Sequence, residues 1–206
     1  MLKYGPTSAL IVVDLQNDFA DPAGSLSVRG GEEIVARVND EVQRAVAAGA
    51  PVFYTQDWHP ASTPHFAKDG GIWPVHCVAK TWGAQLHPDL IVAGESIYKG
   101  SHGEDGYSGF TVRDPTTGEE RRTELETMLR ERGVTEVAVC GLATDYCVRA
   151  TALDAARLGF STTLLADAVA AVDLAPGDGA RALAEMSAAG VTLETATERS
   201  TWEPPG

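Results

Sequence analysis

The chain has 206 residues, with 16 Lys and Arg against 29 Asp and Glu and a formal net charge of −13. That balance argues against nucleic acid as a partner, because phosphate backbones are gripped by clustered cations. The three cysteines, Cys77, Cys140 and Cys147, show no CxxC spacing, and they make neither a disulfide framework nor a Cys-rich zinc site. No apolar run approaches the ~18 residues of a membrane span, and Met1 to Ser8 do not read as a signal peptide. A soluble cytoplasmic protein with a small-molecule ligand is expected, folded as one domain over 1–206; the sequence leaves homo-oligomerisation open.

Short β-like runs alternate with helical patterns along the chain. Ala9 to Val13 is continuously apolar, as in a strand buried on both faces. Ile34, Val38, Val42, Ala45 and Ala48 recur at helical spacing within Glu32 to Ala48, and Gly49 and Pro51 mark the end. Val52 to Tyr54 reads as a strand. Gln56 to Ala93 has no clear period and is rich in Pro, His, Trp and Gly, the mark of a long functional loop. Ser96 to Lys99 is a short strand, and Leu125, Met128 and Leu129 share the face of a helix ending at Gly133. Val137 to Gly141 leads into a helix with the stripe Val148, Ala152, Ala155 and Leu158. Thr162 to Leu165 is a strand, Ala180 to Ala188 a helix and Val191 to Leu193 a last strand, while Trp202 to Gly206 reads as a loose end. This alternation predicts an α/β fold, three-layer α/β/α around a central, mainly parallel sheet.

Ligands in such folds bind beyond the carboxyl ends of the strands. That rule selects Asp14, Asp57, Lys99 and the turn Ala143 to Cys147. Cys147 sits where an apolar run gives way to a helical pattern, so unpaired N–H groups and the positive end of the peptide dipoles favour its thiolate. Gly141 is expected to permit a tight turn there, and Thr144 or Asp145 to cap the helix. A cysteine nucleophile needs a base and a cation, which Asp14 and Lys99 supply. Asp57, His59, His65 and His76 fall in one irregular segment, and their side chains suit a divalent transition metal such as Zn, Fe or Mn. Asp57 and His59 point the same way on an extended backbone. Phe19, Trp58, Trp73 and Tyr146 are interleaved with these groups, and Phe19 and Trp73 can flank a flat ring. His87 and His102 read as ordinary loop residues.

Six segments then align with a known pattern: Val13-Asp14-Leu15-Gln16-Asn17-Asp18-Phe19, Asp57-Trp58-His59, Trp73-Pro74-Val75-His76-Cys77-Val78, Tyr98-Lys99-Gly100, Tyr107-Ser108-Gly109-Phe110 and Gly141 to Val148. In that order they resemble the nicotinamidase/pyrazinamidase branch of the isochorismatase-like cysteine hydrolases, over nearly the whole chain. The resemblance implies a triad of Asp14, Lys99 and Cys147, and an oxyanion hole from the backbone N–H groups of Ala143 and Cys147 beside a cis peptide preceding Ala143. It implies one divalent metal on Asp57, His59 and His76, with His65 matching a ligand seen in part of the family. It also implies aromatic substrate walls from Phe19 and Trp73, and Tyr146 is expected to contact the substrate beside them. Ala67 departs from the pattern, standing where many relatives have a serine.

The implied reaction hydrolyses nicotinamide to nicotinate and ammonia through a Cys thioester, with pyrazinamide as a second substrate. Three rivals are weighed against it. One is a related hydrolase of a carbamoyl or maleamate-type amide, which would keep the triad without needing a metal-bound ring. Another is the isochorismatase reaction, which Cys147 disfavours. The third is a catalytically silent binding module, against which the full set Asp14, Lys99 and Cys147 speaks.

Overall fold

A computed structural model describes residues 3–195; the expected loose end at Trp202 to Gly206 lies outside them. The first strand, β1 (Ser8–Val13), is buried along its whole length. Its alternating side chains serve opposite faces, as a period of two demands. Leu10 and Val12 pack with Val38, Val42 and Ala45 of a helix, whereas Ala9, Ile11 and Val13 pack with Leu125, Leu129, Val148 and Ala152. A continuous apolar run is therefore one strand feeding two cores.

A short helix α1 (Asn17–Ala20) follows, then α2 (Val35–Ala47) and β2 (Val52–Asp57). The expected helix from Glu32 starts only at Val35, and no side chain caps it. Full burial of Val38 and Val42 contributes about 2 kcal/mol each. The next strand, β3 (Glu95–Lys99), is reached through a connection whose regular structure is one 3₁₀ turn at Ala67–Asp69 and the isolated bridges His59↔Val78, Phe66↔Trp73 and Gln16↔Leu86. An antiparallel hairpin, β4 (Thr111–Arg113) and β5 (Glu120–Arg122), precedes α3 (Leu125–Glu131). Neither α1 nor the hairpin was expected, because three or four residues carry too little periodicity to declare themselves.

The second half runs β6 (Glu136–Leu142), a π-helical turn Thr144–Val148, α4 (Arg149–Arg157), β7 (Ser161–Ala170), α5 (Asp178–Ala188) and β8 (Thr192–Glu194). β7 is much longer than Thr162 to Leu165, because it follows β6 past an irregularity between Val139 and Gly141 to pair Leu142 with Ala170. All neighbours in the six-stranded sheet are parallel, in the order β3-β2-β1-β6-β7-β8. One layer, with α2, covers one face, and α3, α4 and α5 cover the other. The chain thus builds outward from β1 in one direction, then returns to β1 with β6 and builds in the other. Between these two strands the order reverses, which opens a crevice at their carboxyl ends. Among the described residues no helix is long and apolar enough to cross a membrane.

Candidate active site

Asp14 is the first residue beyond β1 and adopts a left-handed backbone, φ 46°. Such strain in a non-glycine residue persists where the surroundings hold it. Here its N–H donates to Thr55 O (3.1 Å), and Thr55 Oγ1 donates to Asp14 Oδ1 (2.6 Å). Lys99 is the last residue of β3, and its Nζ lies 2.8 Å from Asp14 Oδ2 and 3.6 Å from Cys147 Sγ. It also pairs with Asp57, the last residue of β2, directly opposite in the strand register. A lysine this deeply buried is tolerated only because it is paired.

Cys147 lies in the π-helical turn, entered from the cis peptide Leu142-Ala143. Two expectations about this turn need correction. Gly141 makes no turn: it lies within β6 at φ 109°, and a Cβ there would collide with the Val13 backbone, so its task is to let β6 approach β1. Nor do Thr144 and Asp145 cap the helix. Ala143 holds the cap position without a side-chain bond, and the Asp145 carboxylate instead accepts the N–H groups of Val172 (2.9 Å) and Asp173 (2.8 Å).

The surroundings of Cys147 work against the expected thiolate. Burial, reinforced by Asp14 and Asp57, pushes the Cys147 thiol well above its usual value despite the opposing Lys99. The helix-end argument is local, and desolvation beside two carboxylates outweighs it. Burial likewise raises Asp14, against the lowering effect of Lys99, which makes it a stronger base. For Lys99 burial works against the charge, but Asp14 and Asp57 prevail and keep it protonated. At Asp57 burial is overcome by Lys99, His59 and His76, which hold that carboxyl well below its usual value.

Next to this cluster, ligand atoms of His59, His65 and His76 lie within 4.8 Å of one another. His59 Nε2 and His76 Nε2 are each 3.7 Å from Asp57 Oδ2. His76 Nδ1 donates to Pro74 O (2.7 Å), since a carbonyl only accepts, and this leaves a lone pair on Nε2. Neither buried ring nitrogen of His59 has a hydrogen-bond partner. Gly100, at φ 79°, makes room for that ring: a Cβ there would sit 2.6 Å from His59 Nδ1. Three converging imidazoles, a carboxylate and an orphaned buried nitrogen pair fit a divalent transition metal. At His65, burial and His59 lower the imidazole's affinity for a proton against the pull of Asp105.

A cleft joins the two clusters. Its walls include Phe19, Trp73, Tyr146, Ala143 and Cys147, with Asp57, His65 and His76 also exposed to it. Tyr146 meets Trp73 edge-on with ring centroids 5.0 Å apart, and Phe19 lies 5.4 Å from the His76 ring. Trp58 instead meets the Tyr98 ring at a tilt, with centroids 4.7 Å apart. His102 is exposed, and His87 is a buried loop residue. Sequence reasoning assigned no task to Tyr107, whose hydroxyl accepts from Trp73 Nε1 (3.0 Å), nor to Leu26, Val28 and Val172 of the walls. Tyr107 stood in a quoted motif and could have been found there. Leu26 and Val28 carry no comparable signal.

Comparison with known proteins agrees with this arrangement. The Isochorismatase domain family matches residues 8–198. The nicotinamidase of Escherichia coli strain K12 is 38% identical over 96% of this chain and 98% of its own length. Among solved structures, the pyrazinamidase of Pyrococcus horikoshii in complex with zinc is 42% identical and superposes with a TM-score of 0.82, covering 92% of this chain and 99% of that one. PnC1 from L. infantum in complex with nicotinate gives 0.84 at 38% identity, over 95% of this chain and 96% of that one. The chain belongs to the isochorismatase family, on its nicotinamidase/pyrazinamidase branch.

Proposed function

We propose that the chain acts as one catalytic domain, a nicotinamidase that hydrolyses nicotinamide to nicotinate and ammonia and accepts pyrazinamide by the same route. The observation that carries this reading is the meeting of Cys147 Sγ, Lys99 Nζ and the Asp14 carboxylate at a cleft walled by Phe19, Trp73 and Tyr146 and flanked by the histidine cluster.

Asp14 takes the Cys147 proton as the thiol attacks the carboxamide carbon, and its raised pKa suits it to that transfer. Lys99 offsets the negative charge that would otherwise accumulate between Asp14, Asp57 and the developing thiolate. The backbone N–H groups of Ala143 and Cys147 receive the tetrahedral oxyanion; a donor of this kind typically contributes about 3 kcal/mol to lowering the barrier. Asp14 returns the proton to the leaving nitrogen, and ammonia departs. It then deprotonates the water that cleaves the thioester, releasing nicotinate and restoring the thiol. Phe19, Trp73 and Tyr146 hold the flat ring and keep bulk water off the thioester. Asp57, His59 and His76, with His65, would hold a divalent ion, which supplies a Lewis-acid anchor for the ring nitrogen.

Ammonia release from nicotinamide, followed with and without prior chelation, tests this reading. Activity that falls with chelation and returns with added Zn(II), Fe(II) or Mn(II) supports it. Equal turnover of aliphatic amides, unaffected by chelation, would overturn it in favour of a metal-independent amidase.

A further inference from the structure

At the histidine cluster, two of the three rings are engaged from outside by a group that can only accept a hydrogen bond. For His76 that group is the Pro74 carbonyl; for His65 it is a carboxylate, with Asp105 Oδ1 2.8 Å from Nδ1. Such a contact puts the ring proton on Nδ1 and leaves Nε2 with the lone pair to offer the cluster. The His65 ring is stacked on His59 with centroids 4.7 Å apart and stands edge-on to His76 at 5.3 Å. An acceptor on the outer nitrogen and a lone pair on the inner one is the arrangement that metal-bound histidines adopt.

Asp105 is itself held. Its N–H donates to Arg113 O (2.7 Å), its carbonyl accepts from Arg113 N (2.5 Å), and the Arg113 guanidinium lies 3.3 Å from Oδ2. The neighbouring Glu104 is paired with Arg121 at 3.0 Å. Both strands of the β4–β5 hairpin thus brace the segment that presents the carboxylate to His65. The Asp105 side chain is partly exposed, so truncating it empties no core.

We propose that Asp105 is a positioning residue: it fixes the tautomer and orientation of His65, so that His65 serves as a fourth ligand beside Asp57, His59 and His76. This rests on the metal reading of the site given above. It adds a residue to that reading, and it gives the hairpin a task in metal retention.

The test measures Zn(II) affinity of the full-length protein by competition with a chromophoric chelator, together with the visible absorption of the Co(II) form. Asp105→Ala weakens Zn(II) binding by roughly 10- to 100-fold, and its Co(II) spectrum moves towards that of His65→Ala. Asp105→Asn, which keeps an acceptor oxygen, recovers most of the affinity and the wild-type spectrum. In a His65→Ala background, Asp105→Ala has no further effect, because the two act as one unit. The proposal is overturned if Asp105→Ala binds Zn(II) like the wild type, if it costs the same with and without His65, or if His65→Ala leaves affinity unchanged. Unchanged affinity in His59→Ala would instead remove the metal reading on which the proposal stands.

Discussion

Asp14, Lys99 and Cys147 come from strand ends or from the turn directly after one, and the sheet sets their spacing through backbone pairing. The histidines are held differently. His65 and His76 lie in the connection between β2 and β3, where one 3₁₀ turn and isolated bridges are the regular structure, and each is oriented by a hydrogen bond to a loop atom. His59 is placed by its neighbour Asp57 and by the space left at Gly100. Chemistry that depends on the spacing of a carboxylate, an ammonium and a thiol is thus carried by the ends of the central, hydrogen-bonded strands. The half proposed to bind an ion is assembled from loops, where the ion itself can supply part of the order. Asp57 is the one residue in both, paired with Lys99 on one oxygen and facing two imidazoles with the other.

Substitutions on either side of that line test the division. Cys147→Ala is expected to have the largest effect, lowering kcat by at least ~10⁴-fold while metal content by elemental analysis stays at the wild-type level; loss of metal would show the two halves to be inseparable. Gly100→Ala introduces a Cβ against His59 at a left-handed position. It should weaken metal binding by roughly 10- to 100-fold, read by chelator competition, with a smaller change in kcat once metal is saturating. A kcat loss as large as the affinity loss would mean that the strain passes through Lys99 into the sheet. Asp145→Ala strands two backbone N–H groups and should cost about 1–3 kcal/mol in urea unfolding, accompanied by a raised KM as the Val172 wall loosens. Tyr107→Phe removes the acceptor for the Trp73 indole and should raise KM by roughly fivefold, equivalent to about 1 kcal/mol, with stability little changed.

What could be read in the chain follows the same line. Ala9 to Val13 reads as a doubly buried strand, so the charge after it must face a cleft; the end of β3 places Lys99 by the same rule. These are local signals, expressed in a few consecutive residues. The acceptor on His65 and the partner of the Trp73 indole lie in the Asp105 to Tyr107 segment, which reaches them only through the fold. No periodicity in either segment announces such a contact. Asp145 and Cys147 illustrate the converse. Each was given a plausible local task, as a cap and as a dipole-stabilised thiolate, and in each case distant elements oppose it: the segment after β7 takes the Asp145 carboxylate, and burial, with Asp14 and Asp57, raises the Cys147 thiol.

The return of the chain to β1 has a kinetic corollary. Ser8 pairs with Glu136 and Val13 with Gly141, so the two central strands, whose ends carry Asp14 and lead to Cys147, meet only after nearly two-thirds of the chain has been gathered between them. The entropy of closing so long a loop must be met before that pairing returns any stability, which makes parallel contacts of this separation slow to form. The protein therefore cannot own a partly built nucleophile. A chain arrested or cut before β6 holds the base and the cation without the thiol, and an early collapsed state keeps its Cys147 apart from Asp14 until the centre of the sheet has closed.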